Sequence, residues 1–168
     1  MKKIILATLI AGAYVTAANA ADTVSKKITL TAQINDSLFV SKPDGSTWYA
    51  SEELDARDYT QQSFSKKLPV RVWSKADTFN VRLAQPLTMT NAGQAMVNAK
   101  AVWAQSTGAT ELSTATDLTV TQVTAGPNGT DFDGVYDLTI TADAPANAAN
   151  GVYSGDLVML FEPGTTTP

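Results

Sequence analysis

The chain has no cysteine and no histidine among its 168 residues. Without cysteine there is no thiol nucleophile and no disulfide, so stability must come from burial and hydrogen-bonded sheet. Without histidine the commonest general base and the commonest metal ligand are both missing, and no Ser-His-Asp arrangement can form. Basic residues are in deficit: 12 Lys and Arg stand against 16 Asp and Glu, a net charge of −4. An acidic surface argues against nucleic-acid binding and against a polybasic membrane contact. The expectation is a protein that is not an enzyme and needs no cofactor or metal.

The only long apolar run lies at the start. Lys2 and Lys3 precede Ile4 to Val15, and Ala18-Asn19-Ala20 offers a small-x-small cleavage site. Charge, apolar core and cleavage site in this order predict a secretory signal peptide over residues 1–20, too short for a membrane span. Its removal takes two lysines and leaves 10 − 16 = −6. The remaining 148 residues (168 − 20) suit one domain with its own core.

Next comes Lys26-Lys27-Ile28-Thr29-Leu30-Thr31-Ala32-Gln33-Ile34-Asn35. Ile28, Leu30, Ala32 and Ile34 alternate with Thr29, Thr31 and Gln33, which predicts a strand with one apolar face. A chain end is loose unless something ties it down, so this strand needs a surface to pack on.

Downstream, Leu38-Phe39-Val40 is a short apolar run closed by the turn signal Pro43-Asp44-Gly45. Trp48, Tyr49 and Ala50 are expected to begin a further short strand. Residues 51–65 are polar and read as a loop or a single helical turn capped by Ser51. Leu68, Val70, Val72 and Ser74 share a face opposite Arg71 and Trp73; Phe79, Val81 and Leu83 alternate with Asn80 and Arg82. With only Lys75-Ala76-Asp77 between them, these two runs predict a β-hairpin. Residues 95–104 fit helix and strand periodicities alike, and their turn-rich flanks favour strand. Leu118 to Val123 and Val135 to Ala142 alternate as strands. The last run, Val152 to Phe161, places Tyr153, Gly155, Leu157, Met159 and Phe161 on one face and becomes apolar on both faces from Leu157. Short Thr- and Val-rich strands between Gly, Pro and Asn turns, with no long amphipathic helix, predict an all-β antiparallel sandwich.

Chemistry-bearing clusters are few. Asp131, Asp133 and Asp137 form an acidic group near Gly129 and Gly134, but lack calcium-loop spacing and a closing Glu, so a solvated turn is expected. Glu52, Glu53, Asp55 and Asp58 read as a solvated face rather than a catalytic carboxylate pair. Asn128-Gly129-Thr130 matches a three-residue glycosylation sequon, a pattern common by chance. Trp48, Tyr49, Trp73 and Trp103 could line a carbohydrate surface or pack in the sandwich; Trp48 and Tyr49, beside a turn, are the candidate receptor contacts.

The two chain ends resemble a known family. Lys27 to Asn35 is similar to the mature N-terminus of the major pilins of class 5 (alpha) fimbriae, the colonization-factor family, and Gly151 to Phe161 to that family's Tyr-Ser-Gly and apolar ending. Where the family often has Pro after the first strand, this chain has Asp36 and Ser37. The resemblance implies an immunoglobulin-like sandwich lacking its final strand, with residues 21–36 as a donor strand and 37–168 as the pilin domain. It implies that Ile28, Leu30, Ala32 and Ile34 fill the groove of another copy. It also implies a periplasmic chaperone, an outer-membrane usher, a tip adhesin and a fimbria on the cell surface that supports adhesion to host cells. The pattern alone serves equally for a first strand inside its own sandwich. The alternative function is a fimbrial adhesin or a secreted carbohydrate-binding sandwich.

Overall fold

The computed structural model describes residues 37–164. The leader over 1–20 and the segment 21–36, with Ile28, Leu30, Ala32 and Ile34, lie outside the described residues.

The described chain is all-β. Its strands are β1 (Leu38–Ser41), β2 (Asp55–Ala56), β3 (Ser63–Ser74), β4 (Thr78–Leu83), β5 (Thr90–Asn91), β6 (Gln94–Ala95), β7 (Val97–Gln105), β8 (Gly108–Glu111), β9 (Leu118–Thr121), β10 (Phe132–Asp143) and β11 (Met159–Pro163). A six-stranded sheet runs β1-β3-β10-β7-β8, with β2 also on β3; a three-stranded sheet runs β11-β4-β9; β5 and β6 pair apart. Every pairing is antiparallel.

The alternation in the sequence explains which faces meet. Leu68, Val70 and Val72 of β3, Ala101 and Trp103 of β7, and Leu138 and Ile140 of β10 point inward from the large sheet. Phe79, Val81, Leu83 and Val120 point inward from the small one. The centre is aromatic: the Trp103 ring stacks on Tyr136 at 5.3 Å and meets the edge of Phe79 at 6.1 Å. Burying a side chain of this size contributes about 1.5–3 kcal/mol.

Pro69 sits within β3 opposite Asp137. Proline has no N–H to give, and it is tolerated in a strand where that side is free of a ladder partner. β1 pairs only with Arg71–Ser74 and β2 only with Phe64 and Ser65, which leaves the edge at Pro69 uncovered. Its carbonyl accepts the Tyr49 hydroxyl there at 2.8 Å.

Several expectations need correction. β3 and β4 are not a hairpin. They belong to different sheets, and Lys75-Ala76-Asp77 carries the chain across the sandwich. The physical reason is that the two apolar faces pack against each other rather than side by side. The crossing is fixed by the Ala76 N–H donating to the buried Ser74 Oγ and by Gln122 N–H donating to the Asp77 carbonyl. Of the loop and the helical turn considered after Ser51, the loop is present over residues 51–54, and Asp55–Ala56 then pairs with β3. Trp48 to Ala50 is irregular. The last strand begins at Met159 rather than Val152, because Ser154 is bonded both ways to Thr90 and holds that part of the chain outside the sheet. Gly155 allows this approach: a Cβ there would lie 1.9 Å from the Thr88 carbonyl oxygen. The turn at Pro43-Asp44-Gly45 forms as expected, with Gly45 at φ +79° and its N–H on the Lys42 carbonyl.

Candidate functional site

The feature that stands out is a seam. β1 closes one edge of the large sheet and pairs only with β3; β11 closes one edge of the small sheet and pairs only with β4. The two edge strands lie near each other but share no ladder. Among the described residues no strand covers the outer edge of either one. Such edges carry a row of unpaired N–H and C=O groups, a template for another strand.

Period two aims the side chains. On β1, Leu38 and Val40 turn inward and half-buried, whereas Phe39 turns out and is 46% exposed. On β11, Met159 and Phe161 share a face. Together with Trp48 they line a cleft of about 230 Å³. The cleft floor is the aromatic core itself, since the Phe161 ring lies 5.8 Å from Trp103 and 6.4 Å from Phe79. The seam therefore opens onto the same apolar interior that holds the sandwich together.

Trp48 forms one wall, with its ring 6.0 Å from Phe161 and 37% of its surface exposed. Tyr49 packs edge-on against Trp48 at 5.6 Å and lies under the Lys42 ammonium at 4.9 Å. Burial, helped by the charge of Glu52, pushes its phenol pKa up. Its hydroxyl is committed to Pro69.

The acidic residues hold structural posts. Asp131 accepts the Trp73 indole N–H at 2.6 Å and the Asn128 side-chain amide at 3.1 Å. The indole bond, chiefly, holds its carboxyl below the ordinary range. Asp133 takes a forked ion pair from Arg71, with Nε at 2.9 Å. Asp137 pairs with Lys67 at 2.7 Å, and Asp55 with Lys66 at 3.1 Å. Asp58 accepts the Thr60 N–H in a tight turn. These carboxylates point at separate partners. Among the described residues no group of three or more Asp or Glu side chains is placed to hold a metal. In the sequon, the Asn128 amide nitrogen that would carry a glycan is donating to Asp131.

Sequence reasoning placed Met159 and Phe161 on one face but did not join them to Val40 and Trp48. The available signal was the final run being apolar on both faces from Leu157: a strand with one face on the core and a second apolar face asks for a further neighbour.

An antiparallel two-sheet sandwich whose apolar seam no strand covers among the described residues defines an immunoglobulin-like domain that is short of a strand over that range. The chain belongs to the CS1 type fimbrial major subunit family, whose model matches residues 24–162. Its fold is similar to the solved structure of the CooA pilin subunit from enterotoxigenic Escherichia coli, with a TM-score of 0.63 at 19% identity over 79% of this chain and 90% of that one. No curated protein matches the chain in sequence. The chain is thus a structural subunit of a cell-surface fimbria, in a family of subunits that polymerise into fibres.

Proposed function

We propose that this subunit polymerises by strand donation: residues 21–36 of one copy enter the seam between β1 and β11 of the next, with Ile28, Leu30, Ala32 and Ile34 turned into the cleft. The observation that carries the reading is the apolar seam of Val40, Trp48, Met159 and Phe161 lying between two strand edges that no strand covers among the described residues. Main-chain bonds along both edges supply affinity, and the alternate side chains set register. Each of Ile28, Leu30 and Ile34 contributes about 1.5–3 kcal/mol on burial, and each ladder bond about 0.5–1.5 kcal/mol net. A strand at one end and a cleft elsewhere make a heterologous contact, which grows as a filament instead of closing as a dimer. The open seam is an aggregation hazard before the strand arrives. In this reading a signal peptide over 1–20 directs export, a periplasmic chaperone covers the seam, an outer-membrane usher exchanges it for the next subunit, and a tip adhesin ends a fibre that supports adhesion to host cells.

Deleting residues 21–35 should leave chaperone-bound monomer and no fibre by electron microscopy. Leu30→Asp should do the same, while Thr31→Lys should assemble normally. Fibres from the deletion variant, or equal loss from both substitutions, would sink the proposal. Trp48 is assigned here to the wall of the cleft. Trp48→Ala should slow fibre growth; intact fibres with reduced host-cell attachment would instead favour a receptor role for Trp48 and Tyr49.

A further inference from the structure

The sandwich has two ends, and the topology tells them apart. Ser37 starts the domain at one of them, where its carbonyl accepts the Lys75 N–H at 3.2 Å and Leu38 faces Ser74. β11 finishes at the same end, since the Gly164 N–H donates to the Thr78 carbonyl at 2.9 Å. This is the root end, where residues 21–36 join the domain. β1 runs away from it and β11 runs toward it.

Two exposed apolar side chains flank the seam at the opposite, far end. β2 pairs with Phe64 and Ser65, which β10 covers on their other side, so β2 continues the edge of β3 that β1 occupies nearer the root. Tyr59 lies just beyond β2 and is 96% exposed. Across the seam, the chain before β11 keeps to the line of that strand, with the Ala84 N–H on the Val158 carbonyl and Ser154 paired with Thr90. Val152 lies at the end of that stretch and is 84% exposed. Each is carried by a turn with its own hydrogen bonds. The Arg57 N–H donates to the Ser63 carbonyl and the Thr60 N–H to Asp58, both at 2.9 Å, around Tyr59. The Asn91 side-chain amide donates to the Asn150 carbonyl at 3.3 Å on one side of Val152, and Thr90 holds Ser154 on the other.

Chain length brings a third side chain to this place. Strand donation, on which this inference rests, puts Ile34 of one copy in the seam of another. The donor's own sandwich begins three residues later, at Ser37. An extended residue spans at most about 3.6 Å, so Phe39 of the donor lies within about 18 Å of Ile34. The donor's body must leave the acceptor at the far end, because the root end is where the acceptor sends out its own strand. Phe39, turned away from the core and 46% exposed, is thereby carried to the mouth between Tyr59 and Val152.

We propose that Tyr59 and Val152 of the acceptor close on Phe39 of the donor, a body-to-body contact between two copies of this chain that locks the donated strand at its root. Three apolar side chains that water covers in the single subunit are buried at the joint. The contact forms only after the strand has entered, so it acts on dissociation rather than on entry.

The test is disulfide capture between two full-length variants mixed during assembly. A disulfide needs the two Cα atoms within about 7 Å. Phe39→Cys in one copy should link to Tyr59→Cys and to Val152→Cys in the other. It should not link to Val97→Cys, which is 45% exposed at the same end but lies on β7, on the side of β10 away from the seam. A Leu30→Cys and Met159→Cys pair reports strand donation separately. If that pair links while Phe39→Cys captures neither Tyr59→Cys nor Val152→Cys, or captures Val97→Cys equally well, the contact is overturned and strand donation stands. Absence of the Leu30–Met159 link would remove the reading beneath the contact, and the contact with it. Fibres of a Tyr59→Asp, Val152→Asp double variant should keep the Leu30–Met159 link and shed subunits in urea about tenfold faster, the scale of one lost apolar contact. An unchanged rate of shedding would also overturn the proposal.

Discussion

Among the described residues the sandwich is sealed at one place by polar locks and left open at another by apolar side chains. Where β3 and β10 run together, the Trp73 indole is tied to Asp131 and the Arg71 guanidinium to Asp133. Along the seam between β1 and β11, the lining is Val40, Trp48, Met159 and Phe161, with no ladder between the two strands. The difference separates folding from assembly. Directional bonds to charged groups fix one geometry and are costly to leave half-made. Apolar burial is non-directional and scales with area, so a seam of this kind accepts any strand with the right alternation. A subunit that must first hold one partner and then another needs the second kind of surface where exchange occurs, and the first kind where it does not.

The largest effect should come from breaking both regions at once. Trp103 is fully buried and touches Phe79, Tyr136 and Phe161, so it supports the core and the cleft floor together. Trp103→Ala should cost about 3–5 kcal/mol in urea unfolding and abolish fibre growth. A loss below about 1 kcal/mol would mean the two regions do not share this foundation.

A smaller effect should isolate the polar lock. Asp131→Asn keeps an acceptor but removes the charge from the Trp73 bond. It should lower Tm by a few degrees and leave fibre growth intact; lost assembly would show that the lock also shapes the seam. The same residue governs acid behaviour. The carboxyls of Asp131, held down chiefly by Trp73, and Asp143, held down chiefly by Asn98 and then Ser63, sit below the ordinary value. A folded pKa below the unfolded one gives stability that is present above about pH 3.9 and lost as pH falls through the folded value. Unfolding midpoints should therefore be flat from neutral to mildly acidic pH and drop below about pH 4, less steeply in Asp131→Asn. At the other end, burial first and the Asp133 charge second push the Tyr136 phenol up to about 12. The sign reverses: this contribution is full below the unfolded value of about 10 and is lost as pH rises through 12. Tyr136→Phe should remove that alkaline decline.

The smallest effect belongs to the surface. Lys67 and Asp137 are 63% and 40% exposed. Lys67→Ala should change stability by less than about 1 kcal/mol and assembly not at all. A larger change would place this pair in a contact between subunits.

Much of the sandwich was legible because each strand carries its own period-two signature. Leu68, Val70 and Val72 were placed together on one face, and Phe79 and Val81 on one face of the next strand, from alternation, and all are buried. The connection between β3 and β4 was not legible. A three-residue link suits a hairpin and a crossing equally, and only the packing of one apolar face on the other decides between them. The start of β11 was misplaced for a related reason: Val152 to Gly155 alternate like a strand, but Thr90 captures Ser154 first. The seam was half legible. Its β11 side showed in the doubly apolar run after Leu157, while its β1 side, four residues long, carried too few positions to signal an open edge.

The central claim is that one copy's leading strand occupies another copy's seam, and the absence of cysteine allows a clean measurement. Two variants are mixed during assembly, one carrying Leu30→Cys and the other Met159→Cys, so that any disulfide must come from the introduced pair. The account predicts covalent heterodimers under oxidising, denaturing electrophoresis, with the signal repeated at Ile28, Ala32 or Ile34 and absent at Thr29 and Thr31. Fibres that form without any Met159 cross-link, or cross-links equally strong from Thr29 and Thr31, would contradict it.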